Sequence, residues 1–137
     1  MTMQFSFDAT LPIYQQIIDE FKRALARGEL RPGDKLPSQR DLAQVSKVNP
    51  NTVQRAYREM EAMGMVESSR GMGTFICSDT GLLTTIRTEM AEEAVRRFVQ
   101  EMMGLGLRSE EILALTESTL QAAAATIGES GGRREAE

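Results

Sequence analysis

A chain of 137 residues holds one modest domain, or a small domain with an appendage. It has no histidine and one cysteine, Cys77. That excludes zinc sites of the usual Cys and His types, Ser-His and Cys-His nucleophile pairs, and any internal disulfide. Hydrophobic residues at 41% and charged residues at 26% describe an ordinary soluble mix, while a net charge of −4 runs against the basic balance expected of a nucleic-acid binder.

The charge is unevenly spread. Residues 1–78 carry ten basic and nine acidic side chains; residues 79–137 carry six and eleven. Any basic footprint is therefore local and lies in the first part. The N-terminus MTMQFSFDATLP has neither the basic start nor the apolar run of a signal peptide, and no segment has the unbroken apolar length of a membrane span. With a lone cysteine, a reducing cytoplasm is expected. No nucleophile-and-base set and no calcium-loop spacing occurs, so no catalytic residue, metal or cofactor is expected.

The first predicted helix covers about residues 11–27. Ile13, Ile17, Phe21 and Leu25 repeat every four residues, Pro12 suits the first turn and Gly28 the position just past the end. The stretch LRPGDKLPS is a loop, anchored by Leu30 and Leu36, with room for one very short strand. Ser38 opens a short helix, about 38–45, with Asp41 three residues on as a near capping box. SKV is a turn. A second helix follows from Pro50 to about Met63, with Asn49 as N-cap and Gly64 as terminator. Leu42, Ala43, Val48, Val53 and Tyr57 are placed to pack the angle between these two helices. Residues 65–69 and 74–77 read as strands joined by RGMG. A β-hairpin behind a helix-turn-helix is a winged helix.

SDTG, residues 78–81, is a polar break and the expected domain boundary. Leu83, Ile86, Met90, Ala94, Phe98 and Met102 then recur at helical spacing; GLGL interrupts near 104–107; Ser109 starts a last helix with Ile112, Leu113, Leu115, Leu120, Ala124 and Ile127. The glycine-rich end, 128–137, reads as a disordered tail. The expected fold class is mainly α, or α+β: a winged helix-turn-helix DNA-binding domain over 1–77, a two-helix dimerisation or effector segment over 78–127, and the tail.

The site follows from hydrogen-bonding capacity. Base edges in the major groove offer paired donors and acceptors that Asn, Gln and Arg match, and the second helix of a helix-turn-helix points its N-terminal end there. Asn49, Asn51, Thr52, Gln54 and Arg55 occupy that end. Ser38 and Arg40 start the preceding helix and face the DNA backbone. Arg70 and Gly71 form the hairpin tip, where an arginine enters a narrow minor groove. Each has a plainer reading. Asn49 and Pro50 are ordinary capping chemistry; Arg40 has Glu59 or Glu61 as possible ion-pair partners; Arg55 and Arg58 fit a solvated face; Arg70 and Gly71 make a good turn.

LPSQRDLAQVSKVNPNTVQRAYREMEAMGMVESSRGMGTFI resembles the DNA-binding domain of the GntR family of bacterial transcription regulators. NPNTVQRAYREME and the short helical C-terminal part are most similar to the YtrA-type subfamily. The likeness is close over about residues 10–77. It implies DNA contacts at Arg40, at Asn49, Asn51, Thr52 and Gln54, and at Arg70 and Gly71, and a homodimer formed through the C-terminal helices. It also implies repression of transport genes, often with the regulator's own operon. Many relatives have basic residues where Pro50 and Gln54 stand, so fewer charged contacts are expected here. Many also carry a large effector domain, for which this chain is too short, and no convergent polar set marks an effector site.

The function expected is a sequence-specific transcription regulator, a repressor, that binds double-stranded DNA at an inverted repeat as a homodimer. The alternative is a winged-helix protein–protein module, which would carry an uncharged or apolar recognition helix. An RNA binder would expose aromatic rings, whereas Tyr14, Phe21, Tyr57 and Phe98 lie on apolar stripes.

Overall fold

Proline and glycine bracket the first helix, and the same local chemistry sets most of the later boundaries. The computed structural model describes Phe5 and residues 7–135, with side chains through Ile127. In chain order the elements are α1 (Ile13–Ala26), α2 (Gln39–Ser46), α3 (Pro50–Ala62), β1 (Val66–Ser69), β2 (Gly73–Ile76), α4 (Thr80–Gly104) and α5 (Ser109–Glu135). None of the described helices is long and apolar enough to cross a membrane. The tail expected over 128–137 falls within α5 as far as Glu135; its side chains and residues 136–137 lie outside the described residues.

α1 ends as expected. Gly28 adopts φ 78°, and the N–H of Glu29 reaches back to the carbonyl of Ala24 at 2.9 Å. Its inward face supplies Ile17, Ile18, Phe21 and Ala24, all buried. Ile13, expected on that stripe, is 41% exposed, because the stripe drifts around the axis by the first turn. α2 starts at Ser38, whose hydroxyl oxygen accepts from Asp41 N at 3.1 Å. It stops at Lys47, which adopts the left-handed conformation (φ 56°, ψ 42°).

α3 supplies Val53, Ala56, Tyr57 and Met60 to the core, where the ring of Tyr57 meets Phe21 edge-on at 6.0 Å. Leu42, Ala43, Val53 and Tyr57 are buried and Val48 is half-buried, so the predicted helix–helix angle is packed by the residues named for it. Gly64 (φ 77°) turns the chain into the hairpin, where Val66 faces Ile76 and Ser69 faces Gly73. The short strand allowed for in the preceding loop is present as a bridge. Lys35 pairs antiparallel with Phe75, Leu36 N donates to the carbonyl of Thr74 at 2.8 Å, and Ile76 N to that of Asp34 at 2.8 Å.

α4 begins earlier than its apolar pattern does. Asp79 caps it, its carboxylate accepting from Leu82 N at 3.1 Å. The break expected at 78–81 is therefore a capped helix start. The chain divides into compact units between Ala91 and Glu92, inside α4. The physical reason is packing: Ile86 is buried in the winged-helix core, with Leu82, Leu83 and Met90 against it. The second unit is the rest of α4 and α5, joined by a turn in which Leu107 N bonds the carbonyl of Met102 and Gly106 takes φ 86°. Ile112 is its one buried large apolar residue among those described.

Candidate nucleic-acid interface

Two helix starts and a hairpin tip make up the candidate surface. At the start of α3, Asn49 Oδ1 accepts from Asn51 N at 2.9 Å, and Pro50 takes the first-turn position where no N–H is needed. Asn49 is thus engaged as a cap through its oxygen, and its amide N–H groups remain available as donors. Asn51 and Gln54 are exposed and Thr52 is half-exposed; among the described residues no side-chain hydrogen bond engages their polar ends. Asn51 lies on the side of α3 opposite Val53, Ala56, Tyr57 and Met60, which are held in the core, and Thr52 and Gln54 lie on its two flanks.

Ser38 spends its acceptor on the α2 cap, leaving its O–H to donate. Arg40 is exposed on the first turn of α2 and makes no ion pair with Glu59 or Glu61 among the described residues. At the wing, Arg70 and Gly71 are exposed, Gly71 has φ 77°, and Met72 N closes the turn onto the carbonyl of Ser69 at 3.0 Å. A left-handed turn position of this kind favours glycine.

Arg55 behaves differently from its neighbours. Its guanidinium carbon lies 3.9 Å from the centre of the Tyr14 ring of α1. This is cation–π stacking, so Arg55 is held against α1 rather than freely solvated, on the same face of α3 as Asn51 four residues earlier. Sequence reasoning placed Tyr14 on the apolar stripe and missed the pairing, which arises only when α1 packs on α3.

Two further features escaped the sequence. The buried phenol of Tyr57 donates to the carbonyl of Pro37 at 2.6 Å, tying the recognition helix to the segment that leads into α2. Burial pushes its pKa above the ordinary phenol value, which favours the protonated, donating form. Lys47, a lysine in a conformation usual for glycine or asparagine, sits in the turn between α2 and α3.

Among the described residues the paired arginines are Arg23 and Arg27 near the end of α1 and Arg96, Arg97 and Arg108 in the second unit. Arg40, Arg55, Arg58 and Arg70, on α2, α3 and the wing, have no carboxylate partner among the described residues, and neither do Arg31 and Arg87. Unpaired cations beside exposed amides form a surface suited to a polyanion with readable edges.

A winged helix with an unengaged polar tip on its second helix is the architecture of a DNA-reading module. Residues 13–76 match the family described as bacterial regulatory proteins, gntR family. The chain is 47% identical over 111 residues to the uncharacterized HTH-type transcriptional regulator YhcF of Bacillus subtilis, covering 81% of this chain and 92% of that protein. It is 38% identical over 106 residues to the HTH-type transcriptional repressor YtrA of the same organism, covering 76% and 81%. A solved GntR family transcriptional regulator from Listeria monocytogenes superposes with a TM-score of 0.75 at 35% identity, covering 82% of this chain and 98% of that one. The chain belongs to the GntR family, and its likeness to YtrA places it with the YtrA-type members.

Proposed function

We propose that this chain is a DNA-binding transcription regulator that represses by occupying an inverted-repeat operator as a homodimer. The observation that carries the reading is the tip of α3. Among the described residues, the side chains of Asn51, Thr52 and Gln54 lie outside the core with no hydrogen bond, and Arg40 and Arg70 are exposed with no ion pair. Asn51 and Gln54 match adenine edges, the Thr52 methyl suits a thymine methyl, and Arg40 and Arg70 meet phosphate or the minor groove. YtrA is named a repressor, which supports repression over activation. The polar, charged surface disfavours the protein–protein alternative.

Dimerisation is supported by the second unit. Val95, Phe98, Met103, Leu113, Leu115 and Leu120 are between 38% and 70% exposed, a density of bare apolar side chains that single subunits avoid. A shallow apolar groove lined by Phe98, Met102, Leu115 and Leu120 lies within that unit. Covering this face with a second copy gives a two-fold assembly, whose two heads read half-sites about 10 bp or a multiple apart.

The test is selection of binding sites from a random duplex library by the full chain, with the mass of the complex measured on a selected site. An enriched inverted repeat carrying two chains supports the reading. No enrichment, or a single chain on an asymmetric site, contradicts it.

A further inference from the structure

We propose that Lys35 is a DNA-phosphate contact of the wing, held in place by the bare backbone of Gly73. This rests on the DNA-binding reading above and adds a residue that the helix-turn-helix pattern does not mark.

The geometry begins with the third strand. Lys35 bridges Phe75 on the open edge of β2, and the flanking bonds Ile76 N to Asp34 O and Leu36 N to Thr74 O fix its register. Directly opposed residues in an antiparallel pair share a face, and so does the residue two positions on, Gly73. The lysine stem runs along that diagonal. A Cβ placed on Gly73 would lie 2.8 Å from Lys35 Cε and 3.5 Å from Nζ. The missing side chain at 73 is the trough in which the stem lies. Gly73 faces Ser69, the last residue before Arg70. The ammonium of Lys35 and the guanidinium-bearing Arg70 therefore belong to the same end of the hairpin.

Nothing in the described structure neutralises Lys35, which is exposed and makes no ion pair or hydrogen bond. The adjacent carboxylate of Asp34 accepts from Arg31 N at 2.9 Å. Glu67 opposes Phe75 on its other side, so the middle strand separates it from Lys35. A lysine ammonium is a compact point charge that binds phosphate without directional demand. A stem already confined against a neighbour loses less freedom on contact than a free one.

The test compares Lys35→Met, which keeps the stem and removes the charge, with Lys35→Arg, which keeps the charge. Binding of the full chain to a duplex selected by the wild type, and to an unrelated duplex, is titrated across salt concentrations. The expected result is that Lys35→Met lowers the magnitude of the log K against log [salt] slope by about 0.9 per wing on both duplexes. Lys35→Arg should retain the slope, and the thermal midpoint should not change. A wild-type slope in Lys35→Met overturns the contact while leaving the DNA reading intact. A wild type that binds neither duplex overturns both.

Discussion

The phenol of Tyr57 on α3 and the carbonyl of Pro37 ahead of α2 are joined by a 2.6 Å hydrogen bond. One residue after Pro37 is Ser38, the α2 cap, and three after it is Arg40. The bond therefore sets the start of α2, proposed to face the DNA backbone, against α3, proposed to face the bases. Removing it with Tyr57→Phe keeps the ring against Phe21 and leaves the carbonyl without its partner. We expect a stability loss of about 1–2 kcal/mol, seen as a lower denaturant midpoint at unchanged slope. Operator affinity should fall further than stability accounts for at a temperature where the variant is fully folded. Unaltered affinity in the folded variant would reduce Tyr57 to a core residue.

Lys47 offers a stability test of opposite sign. A non-glycine residue in the left-handed region costs roughly 1–2 kcal/mol, and glycine there gives back about 0.5–1 in chain entropy. Lys47→Gly is expected to stabilise by up to about 1 kcal/mol, whereas Lys47→Ala keeps the strain and gains nothing. Urea unfolding of the two variants decides it: a less stable glycine variant would mean that the lysine side chain contributes contacts outweighing the strain.

Much of the first unit was legible in the sequence because its boundaries are local chemistry. Gly28, Ser38, Asn49, Pro50 and Gly64 each act within a few residues, and the caps and turns fall at the expected positions. The exposed tip of α3 was legible for the same reason. What escaped depends on distant segments meeting. Tyr14 under Arg55, Tyr57 on Pro37 and Lys35 over Gly73 exist only once α1, α3 and the wing have packed. The unit boundary escaped for a different reason. Leu82, Leu83, Ile86 and Met90 have the spacing of any buried helix face, and periodicity does not say what buries it.

That boundary has a direct consequence for truncation. A chain cut after Cys77 loses Ile86 and its neighbours from the core and should be markedly less stable. A chain cut after Ala91 keeps them and should fold as a monomer with poor operator affinity. Circular dichroism melting and sedimentation of the two fragments check both halves of the statement. Equal melting temperatures would contradict the assigned role of the start of α4.

The apolar face of the second unit can be tested in the full chain. Phe98→Glu combined with Leu120→Glu alters residues 38% and 64% exposed, so the fold of a single chain should survive. The expected outcome is a monomer by sedimentation, with operator affinity down by about 100-fold or more from loss of the linked second head. A dimer of unchanged stability would place the interface elsewhere.

Arg40 carries the prediction about backbone contact. Arg40→Ala should weaken binding to all duplexes alike and lower the salt slope by about 0.9 per head. A loss confined to one base position would instead make Arg40 a base reader.

The most direct measurement of the central claim, that the tip of α3 reads bases, is the affinity of wild type and Gln54→Ala for a set of operators substituted one base pair at a time. The account predicts that Gln54→Ala weakens the best site by about 1–3 kcal/mol and loses its preference at one position per half-site, keeping it elsewhere. Identical base preferences in the two proteins at every position would contradict it.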